Sequence, residues 1–252
     1  VGDVYKRQAR SSWKTCPWPG RVRPRPTTSF KLMAPSKRRL ILLRHGETTY
    51  NATRRMQGQL DTELSERGLA QAHAAAEDLR ELGISKIVSS DLMRAFTTAE
   101  VVAEDLGLEI AKDKRLRETH LGAWQGKTHQ EVDEADSNAR AHWRNNAHWA
   151  PPEGESRVDV AARAREVVDE LMSSYSEWGG SAVLLVAHGG TISALTSSLL
   201  GLDVAQYPLF KGLGNANTSQ LVALPQYGKS TSLIDDPSRA QWYLEAWNRG
   251  RN

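Results

Sequence analysis

Two histidines stand where short hydrophobic runs end. His45 comes shortly after the apolar residues 40–43, and His188 directly follows the apolar residues 182–187. Short apolar runs that stop before glycine are typical of strands buried on both faces of a sheet. Open α/β sheets bind ligands at the carboxyl ends of their strands, so the two imidazoles are predicted to share one site. A buried strand also holds the side chain that follows it in one orientation, which suits a nucleophile for phosphoryl transfer.

Arginine and glutamate side chains complete a set that suits a phosphate ester. Arg44 precedes His45 and Arg94 follows a strand-like run, so both guanidinium groups, with His188, can bind phosphoryl oxygens through charge-assisted hydrogen bonds. The same positive charges favour a neutral His45 with a free lone pair. Glu118 is a candidate general acid that protonates the leaving alkoxide and later takes a proton from water.

Six short motifs follow one another along residues 38–248. They are RHGETTYN at 44–51, QGQLDTELS at 57–65, SSDLMRAFTTA at 89–99, ETHLG at 118–122, GES at 154–156 and AHGG at 187–190. A lone Arg-His-Gly triplet is common, but the whole set in this order is specific. It resembles the histidine phosphatase superfamily, in its phosphoglycerate-mutase-like branch. The resemblance implies an α/β fold, a three-layer αβα sandwich with a mostly parallel central sheet.

The resemblance also implies a metal-independent phosphomonoesterase with a phosphohistidine intermediate and no cofactor. His45 is expected to attack phosphorus, Glu118 to donate the proton, and Arg44, Arg94 and His188 to hold the phosphoryl oxygens. The predicted substrate-binding residues are Arg44, Asn51, Gln57, Arg94, His188 and Gly189.

Several of these roles have alternatives. Glu131, Glu153 and Glu155 compete with Glu118 as the proton donor, although Glu155 is better suited to supporting the site. Asn51 and Gln57 follow the expected nucleophile and could be ordinary turn residues. The roles of His120 and of the tryptophans in residues 127–152 are also open. For these tryptophans, packing in the core and the insertion is favoured over stacking against a bound sugar. No His/Asp/Glu cluster has the spacing of metal ligands, so no metal site is predicted.

The expected substrate is a phosphorylated small molecule. Residues 56–64 and 116–122 are most similar to family members that dephosphorylate glucosyl-3-phosphoglycerate, with mannosyl-3-phosphoglycerate as the next candidate. A phosphoglycerate mutase is the nearest alternative, but mutases of this family have Arg and Tyr where this chain has Thr119 and Leu121, and Trp where it has Gln59. Hydrolysis is therefore favoured. A broad-specificity sugar-phosphate phosphatase and a non-catalytic binding module are the remaining alternatives.

Charged residues are distributed unevenly along the chain. Its 252 residues carry a formal net charge of +3, but residues 1–32 hold eight Lys/Arg and one acid, so residues 33–252 have a net charge of −4. Residues 1–32 lack helix or strand periodicity, are rich in Arg and Pro, and contain Cys16, the only cysteine. They are predicted to be a non-native or disordered leader before the domain at 33–252. A targeting peptide is the weaker alternative because the segment has no apolar core.

This charge distribution does not favour nucleic-acid binding. No apolar run approaches the roughly 18 residues of a membrane span, so no membrane partner is predicted and a cytoplasmic enzyme is expected. The sequence is compatible with either a monomer or a homodimer.

The elements that must position these residues alternate as strand and helix, as in a three-layer sandwich. Residues 127–152 do not follow this alternation. They contain short helical pieces, two tryptophans and a Pro-Pro break, and they are predicted to form an insertion that covers the site. Ser156 is a candidate N-cap, with Asp159 at the capping-box position. Predicted helices cover 65–83, 92–106, 156–175 and 191–200, and predicted strands cover 40–43, 86–90, 182–187, 219–224 and 241–247.

Overall fold

A six-stranded sheet forms the centre of the part of the chain that the structure describes. The structure is a computed structural model, and it describes residues 37–226, 233 and 236–251. The predicted leader at 1–32 and its cysteine lie outside these residues. The strands are β1 Arg38–Arg44, β2 Ile84–Ser89, β3 Ile110–Lys112, β4 Ala182–Ala187, β5 Thr218–Pro225 and β6 Ala240–Arg249.

The strand order explains where the site forms. The order is β3-β2-β4-β1-β5-β6, and the first four of these strands are parallel to one another. Strand β5 runs antiparallel to both of its neighbours, β1 and β6. The predicted mostly parallel sheet is therefore confirmed. Because β4 inserts between β2 and β1, the carboxyl ends of the two strands that carry the histidines lie side by side.

Helices cover both faces of the sheet. Leu40 and Leu42 of β1 pack into a core with the long helix near the middle of the chain, whereas Ile41 and Leu43 pack into a second core with the helices that follow β1 and β2. Alternate side chains of a strand point to opposite faces, so four consecutive apolar residues are buried when both faces are covered. The helices are α1 Thr49–Ala52, α2 Glu66–Leu79, α3 Met93–Leu106, α4 His129–Ala135, α5 Ala139–Asn145, α6 Arg157–Ser174 and α7 Gly189–Leu199.

The helix ends follow the capping chemistry of the sequence. The Ser156 hydroxyl accepts a hydrogen bond from the backbone N–H of Asp159, and the Asp159 carboxylate accepts one from the backbone N–H of Ser156. The predicted capping box of α6 is therefore present, with Asp in place of the usual Glu. Gly107 ends α3 with a φ of +66°, a left-handed conformation that glycine adopts without strain.

Some element bounds differ from those predicted. Strand β3 was not predicted, because only one of its three residues is a large apolar side chain. Helix α7 begins at Gly189 rather than at residue 191, since His188 already occupies the N-cap position. None of the helices in the described ranges is both long enough and apolar enough to cross a membrane.

The segment at 127–152 packs on a small core of its own. Helices α4 and α5 bury Val132 and Ala139 against Trp124, and Trp143 and Trp149 pack on the same group. We call these residues, with Met56 and Leu121, the aromatic cluster. The ring centroids of Trp124 and Trp149 are 5.4 Å apart, and those of Trp124 and Trp143 are 6.0 Å apart in an edge-on arrangement.

Candidate active site

Two neighbouring strands bring the histidines together. Arg44 at the end of β1 is in register with Ala187 at the end of β4, and the backbone N–H of His45 donates to the carbonyl of Ala187 at 3.1 Å. The ring centroids of His45 and His188 are 5.1 Å apart. Both side chains are buried, with 3% and 0% of their surfaces exposed.

The hydrogen bond of His45 determines which ring nitrogen is free. Its Nδ1 lies 2.7 Å from the carbonyl oxygen of Gly46, which can only accept, so Nδ1 carries the proton. Burial, followed by the charges of Arg94 and Arg44, holds the pKa of His45 well below its usual value. The ring is therefore neutral near pH 7, and Nε2 keeps a lone pair for nucleophilic attack.

His188 has the opposite arrangement. Its Nε2 lies 2.9 Å from the hydroxyl of Ser90, and that hydroxyl also accepts from the backbone N–H of Leu92 at 3.3 Å. The hydroxyl proton of Ser90 is thus free to point at Nε2, which places the ring proton of His188 on Nδ1. This Nδ1 is buried and has no hydrogen-bond partner among the described residues. Burial and the charge of Arg94 lower the pKa of His188, so it is a neutral donor for an anionic oxygen.

Two arginines provide the positive charge of the site. Arg94, near the start of α3, donates to the carbonyls of Leu60 and Gly58, at 2.8 Å in both cases. Arg44 donates through Nη1 to the carbonyl of Leu213. The Nε atoms of both arginines are buried without a partner among the described residues. Burial lowers the pKa of Arg94 to about 10, so it is charged at neutral pH. The carbonyls orient the two guanidinium groups and leave N–H groups for a phosphate.

Backbone amides hold the carboxylate of Glu118. Its oxygens accept from the backbone N–H groups of Thr119 at 2.8 Å, Gly190 at 3.1 Å and Thr191 at 3.2 Å. Two of these amides belong to the first turn of α7, where a helix favours negative charge. A Cβ added to Gly190 would lie 2.5 Å from Oε1 of Glu118. Glycine at 190 therefore provides the space for this carboxylate.

Two cavities meet at these residues. The first, of about 190 Å³, contains most of the predicted site residues, and the second, of about 270 Å³, adjoins it. Both are lined by Arg44, Glu118, Thr119, Trp143 and Gly190. The first is also lined by His45, Asn51, Gln57 and Arg94, by Met56 and Leu121 of the aromatic cluster, and by Arg55 and His129.

Comparison with known proteins is consistent with this geometry. A model of the histidine phosphatase superfamily (branch 1) matches residues 40–236. The chain belongs to the histidine phosphatase superfamily. The predicted family and α/β fold are thereby confirmed.

Individual histidine phosphatases are similar over most of their length. A glucosyl-3-phosphoglycerate phosphatase of Mycobacterium tuberculosis is 52% identical over 216 residues, which cover 84% of this chain and 94% of that protein. The structure of a mycobacterial glucosyl-3-phosphoglycerate phosphatase in complex with VO3 superposes with a TM-score of 0.77 at 51% identity, covering 84% of this chain and 98% of that one. A probable phosphoglycerate mutase of Yersinia pestis is 39% identical over 164 residues, 65% of this chain and 75% of that protein.

Three further residues were predicted to bind substrate in this histidine phosphatase, and they line different cavities. Asn51 and Gln57 line the first cavity, but the Oδ1 of Asn51 accepts from the backbone N–H of Thr48 at 3.2 Å, and the Oε1 of Gln57 accepts from the hydroxyl of Thr62 at 2.7 Å. Both side chains therefore also order the loop after His45. Gly189 lines the second cavity rather than the first.

The competing glutamates lie outside both cavities. Glu155 forms an ion pair with Arg163 at 2.9 Å and accepts from the backbone N–H of His120 at 2.8 Å, so it supports the segment that carries Glu118. Glu131 closes the capping box of α4, and the backbone carbonyl of Glu153 lies 3.0 Å from Nδ1 of His120.

Sequence reasoning missed Arg163. Its guanidinium donates to the carbonyls of Arg117 and Glu118 at 2.8 and 3.0 Å, which fixes the backbone on either side of the Glu118 side chain. Arg163 is one of three arginines on α6, and no local pattern distinguishes it from the other two. Within the described ranges, no three His, Cys, Asp or Glu side chains are grouped closely enough to bind a metal ion.

Proposed function

We propose that this chain is a metal-independent phosphatase that hydrolyses glucosyl-3-phosphoglycerate to glucosylglycerate and phosphate through a phosphohistidine. The observation that carries the chemistry is the neutral ring of His45, whose Nδ1 donates to the carbonyl of Gly46 and whose Nε2 is free. Nε2 attacks phosphorus in the first cavity while Arg44, Arg94 and the Nδ1–H of His188 bind the equatorial oxygens.

The two half-reactions use one carboxyl group in opposite senses. As the bond from Nε2 to phosphorus forms, the ester bond from phosphorus to the leaving oxygen breaks, and Glu118 donates its proton to that oxygen. Water then attacks the phosphohistidine, Glu118 takes the proton of the water, and inorganic phosphate leaves. The three backbone amides around Glu118 keep the carboxyl group in place for both steps.

The substrate assignment rests on the relatives and on the shape of the site. The curated mycobacterial relative that shares 52% identity is named for glucosyl-3-phosphoglycerate. The two adjoining cavities together reach the size range of roughly 300–1,000 Å³ that is usual for small-molecule sites. That space suits an ester larger than free 3-phosphoglycerate, and mannosyl-3-phosphoglycerate is the second candidate.

The second candidate function is that of a phosphoglycerate mutase, favoured by the relative from Yersinia pestis. Two residues beside the proton donor oppose it. Thr119 is buried and Leu121 belongs to the aromatic cluster, so neither provides a cation or a phenol to hold a small glycerate.

The deciding measurement is kcat/KM for glucosyl-3-phosphoglycerate, mannosyl-3-phosphoglycerate and 3-phosphoglycerate, together with an assay for mutase activity. We expect the glucosyl ester to be the best substrate and to yield free phosphate. Equal hydrolysis of 3-phosphoglycerate would favour a broad phosphatase, and its isomerisation would favour the mutase.

Chemical trapping tests the covalent intermediate separately. Rapid quenching during turnover should leave phosphate on His45, and His45→Ala should abolish turnover. His73→Ala is the matched control because this histidine is exposed on α2, away from both cavities. Full activity in the His45 variant, or label on another residue, would contradict the assignment.

A further inference from the structure

The second cavity adjoins the first at Glu118. Glu118 lines both cavities, whereas His45 lines only the first. In phosphoryl transfer the attacking and leaving atoms are roughly in line, so the leaving group departs on the side opposite to His45. The leaving oxygen must also lie within reach of Glu118 to be protonated. Both requirements direct the leaving group toward the second cavity.

Arg157 is a second cation in this cavity, beside Arg44. Arg157, the first residue of α6, lines the second cavity, and its guanidinium carbon lies 5.4 Å from the ring centroid of Trp143. Its Nη1 donates to the carbonyl of Arg144 at 3.0 Å. Among the described residues, no carboxylate pairs with it. A guanidinium held on an aromatic face beside a cavity, with donors still free, is suited to an anionic ligand.

Trp143 adds an unused donor at the same place. It lines both cavities, and its Nε1 is buried without an acceptor in the described part of the chain. A buried indole N–H normally has a hydrogen-bond partner. Since the residue lines both cavities, a bound ligand is a candidate for that partner.

We propose that the second cavity binds the leaving group of the substrate, and that Arg157, held over the ring of Trp143, binds the carboxylate of that leaving group. The inference rests on the proposed function, because it is the glycerate part of the ester that carries a carboxylate. Arg157 is then a specificity-determining residue: it selects phosphate esters whose leaving group is itself anionic. The indole N–H of Trp143 is assigned to an oxygen of the attached sugar.

A competing cation lies in the first cavity. Arg55 lines that cavity and donates through Nη1 to the carbonyl of Gly126 at 3.0 Å. A leaving group that bent back toward the aromatic cluster would present its carboxylate to Arg55 instead of Arg157. The two arrangements predict different variants, so one experiment separates them.

The test compares three substrates, two of which differ in a single group. Glucosylglycerol 3-phosphate has a hydroxymethyl group where glucosyl-3-phosphoglycerate has a carboxylate, and nitrophenyl phosphate has neither sugar nor carboxylate. For Arg157→Gln we expect KM for the carboxylate substrate to rise about 10- to 100-fold, the scale of one lost charged hydrogen bond. KM for the other two substrates should change less than threefold, which also shows that the variant is folded.

Further variants complete the design. Arg157→Lys should recover part of the loss because it keeps the charge, and Arg165→Gln, on the same helix and paired with Asp169, should behave as the unaltered protein. Trp143→Phe keeps the ring but removes the N–H, so it should weaken both sugar substrates and spare nitrophenyl phosphate.

Two results would overturn the inference. One is an equal loss on all three substrates in Arg157→Gln, and the other is a carboxylate-selective loss in Arg55→Gln but not in Arg157→Gln. Failure of the proposed function looks different: the unaltered protein would then show no preference for glucosyl-3-phosphoglycerate over nitrophenyl phosphate.

Discussion

His45 and His188 have the same imidazole side chain, but opposite ring nitrogens are hydrogen-bonded in the two residues. In His45 the Nδ1 is bonded to a carbonyl and Nε2 is free, whereas in His188 the Nε2 is bonded to Ser90 and Nδ1 is free. One ring therefore offers a lone pair and the other offers a proton. The sequence indicated both positions, because each follows an apolar strand. It could not indicate the tautomers, since these depend on Gly46 and on Ser90, which lies 98 residues before His188.

The role of Glu118 leads to a prediction about leaving groups. A sugar alkoxide is a strong base that needs a proton as it departs, whereas nitrophenolate does not. Glu118→Gln should therefore lower kcat for glucosyl-3-phosphoglycerate by about 10²–10⁴-fold, the range typical for loss of a general acid, and lower it much less for nitrophenyl phosphate. Steady-state kinetics on both substrates checks this.

The matched control for that prediction is Glu131→Gln. Glu131 caps α4 outside both cavities, so both rates should be retained. Equal losses on the two substrates in Glu118→Gln would mean that this side chain positions the site and donates no proton.

At the scale of the elements, the start of α7 and the carboxylate of Glu118 act together. The first turn of α7 has amides at Gly190 and Thr191 with no partner inside the helix, and Glu118 accepts from both. A distant carboxylate thus replaces the side-chain cap that His188, at the N-cap position, does not provide. The arrangement requires that residue 190 has no side chain.

A methyl group at that position should therefore displace the carboxylate of Glu118, the proposed proton donor, without unfolding the helix. In Gly190→Ala the Cβ would lie 2.5 Å from Oε1 of Glu118, so the carboxylate has to leave its amides. We expect kcat for the sugar phosphate to fall about 10- to 100-fold, within the range of general-acid loss. The melting temperature should fall only modestly, because the higher helix propensity of Ala offsets part of the stability lost with the hydrogen bonds to Glu118.

Gly189→Ala provides the comparison. Its Cβ would meet Arg44 no closer than 3.5 Å, an ordinary contact, so its effect should be much smaller. Similar losses in the two variants would show that the helix start tolerates no methyl group and would remove the specific link to Glu118.

The sequence predicted elements best where packing is uniform. Strand β4 was predicted with its observed bounds, because six consecutive apolar residues are buried on both faces. The predicted capping box of α6 was also observed. Strand β3 and the contacts of Arg163 and Arg157 could not be predicted, because they depend on which distant segment lies opposite rather than on local pattern.

At the scale of the whole molecule, two buried neutral histidines couple folding to pH. Burial first, and the charge of Arg94 second, lower the pKa of both His45 and His188 in the folded state. The unfolded chain binds protons at these positions below about pH 6.5, and the folded chain does not. The free energy of unfolding should therefore fall as pH drops below that value, by up to about 1.4 kcal/mol per pH unit for each histidine.

Urea unfolding between pH 5 and pH 7.5 measures this dependence. The double variant His45→Gln/His188→Gln should show a shallower slope than the unaltered protein. Paired carboxylates such as Asp91, whose pKa the hydrogen bonds of Arg117 lower, contribute near pH 4 and below, outside this window. An unchanged slope in the double variant would contradict the prediction.

The aromatic cluster has an evolutionary consequence. It is a core separate from the two cores on the faces of the sheet, and it includes Trp143, which borders both cavities. Substitutions in residues 127–152 can therefore change the lining of both cavities while the sheet and its histidines keep their own packing. Such modularity allows a lineage of phosphatases to acquire new metabolites as substrates by varying one peripheral segment and leaving the reaction chemistry unchanged.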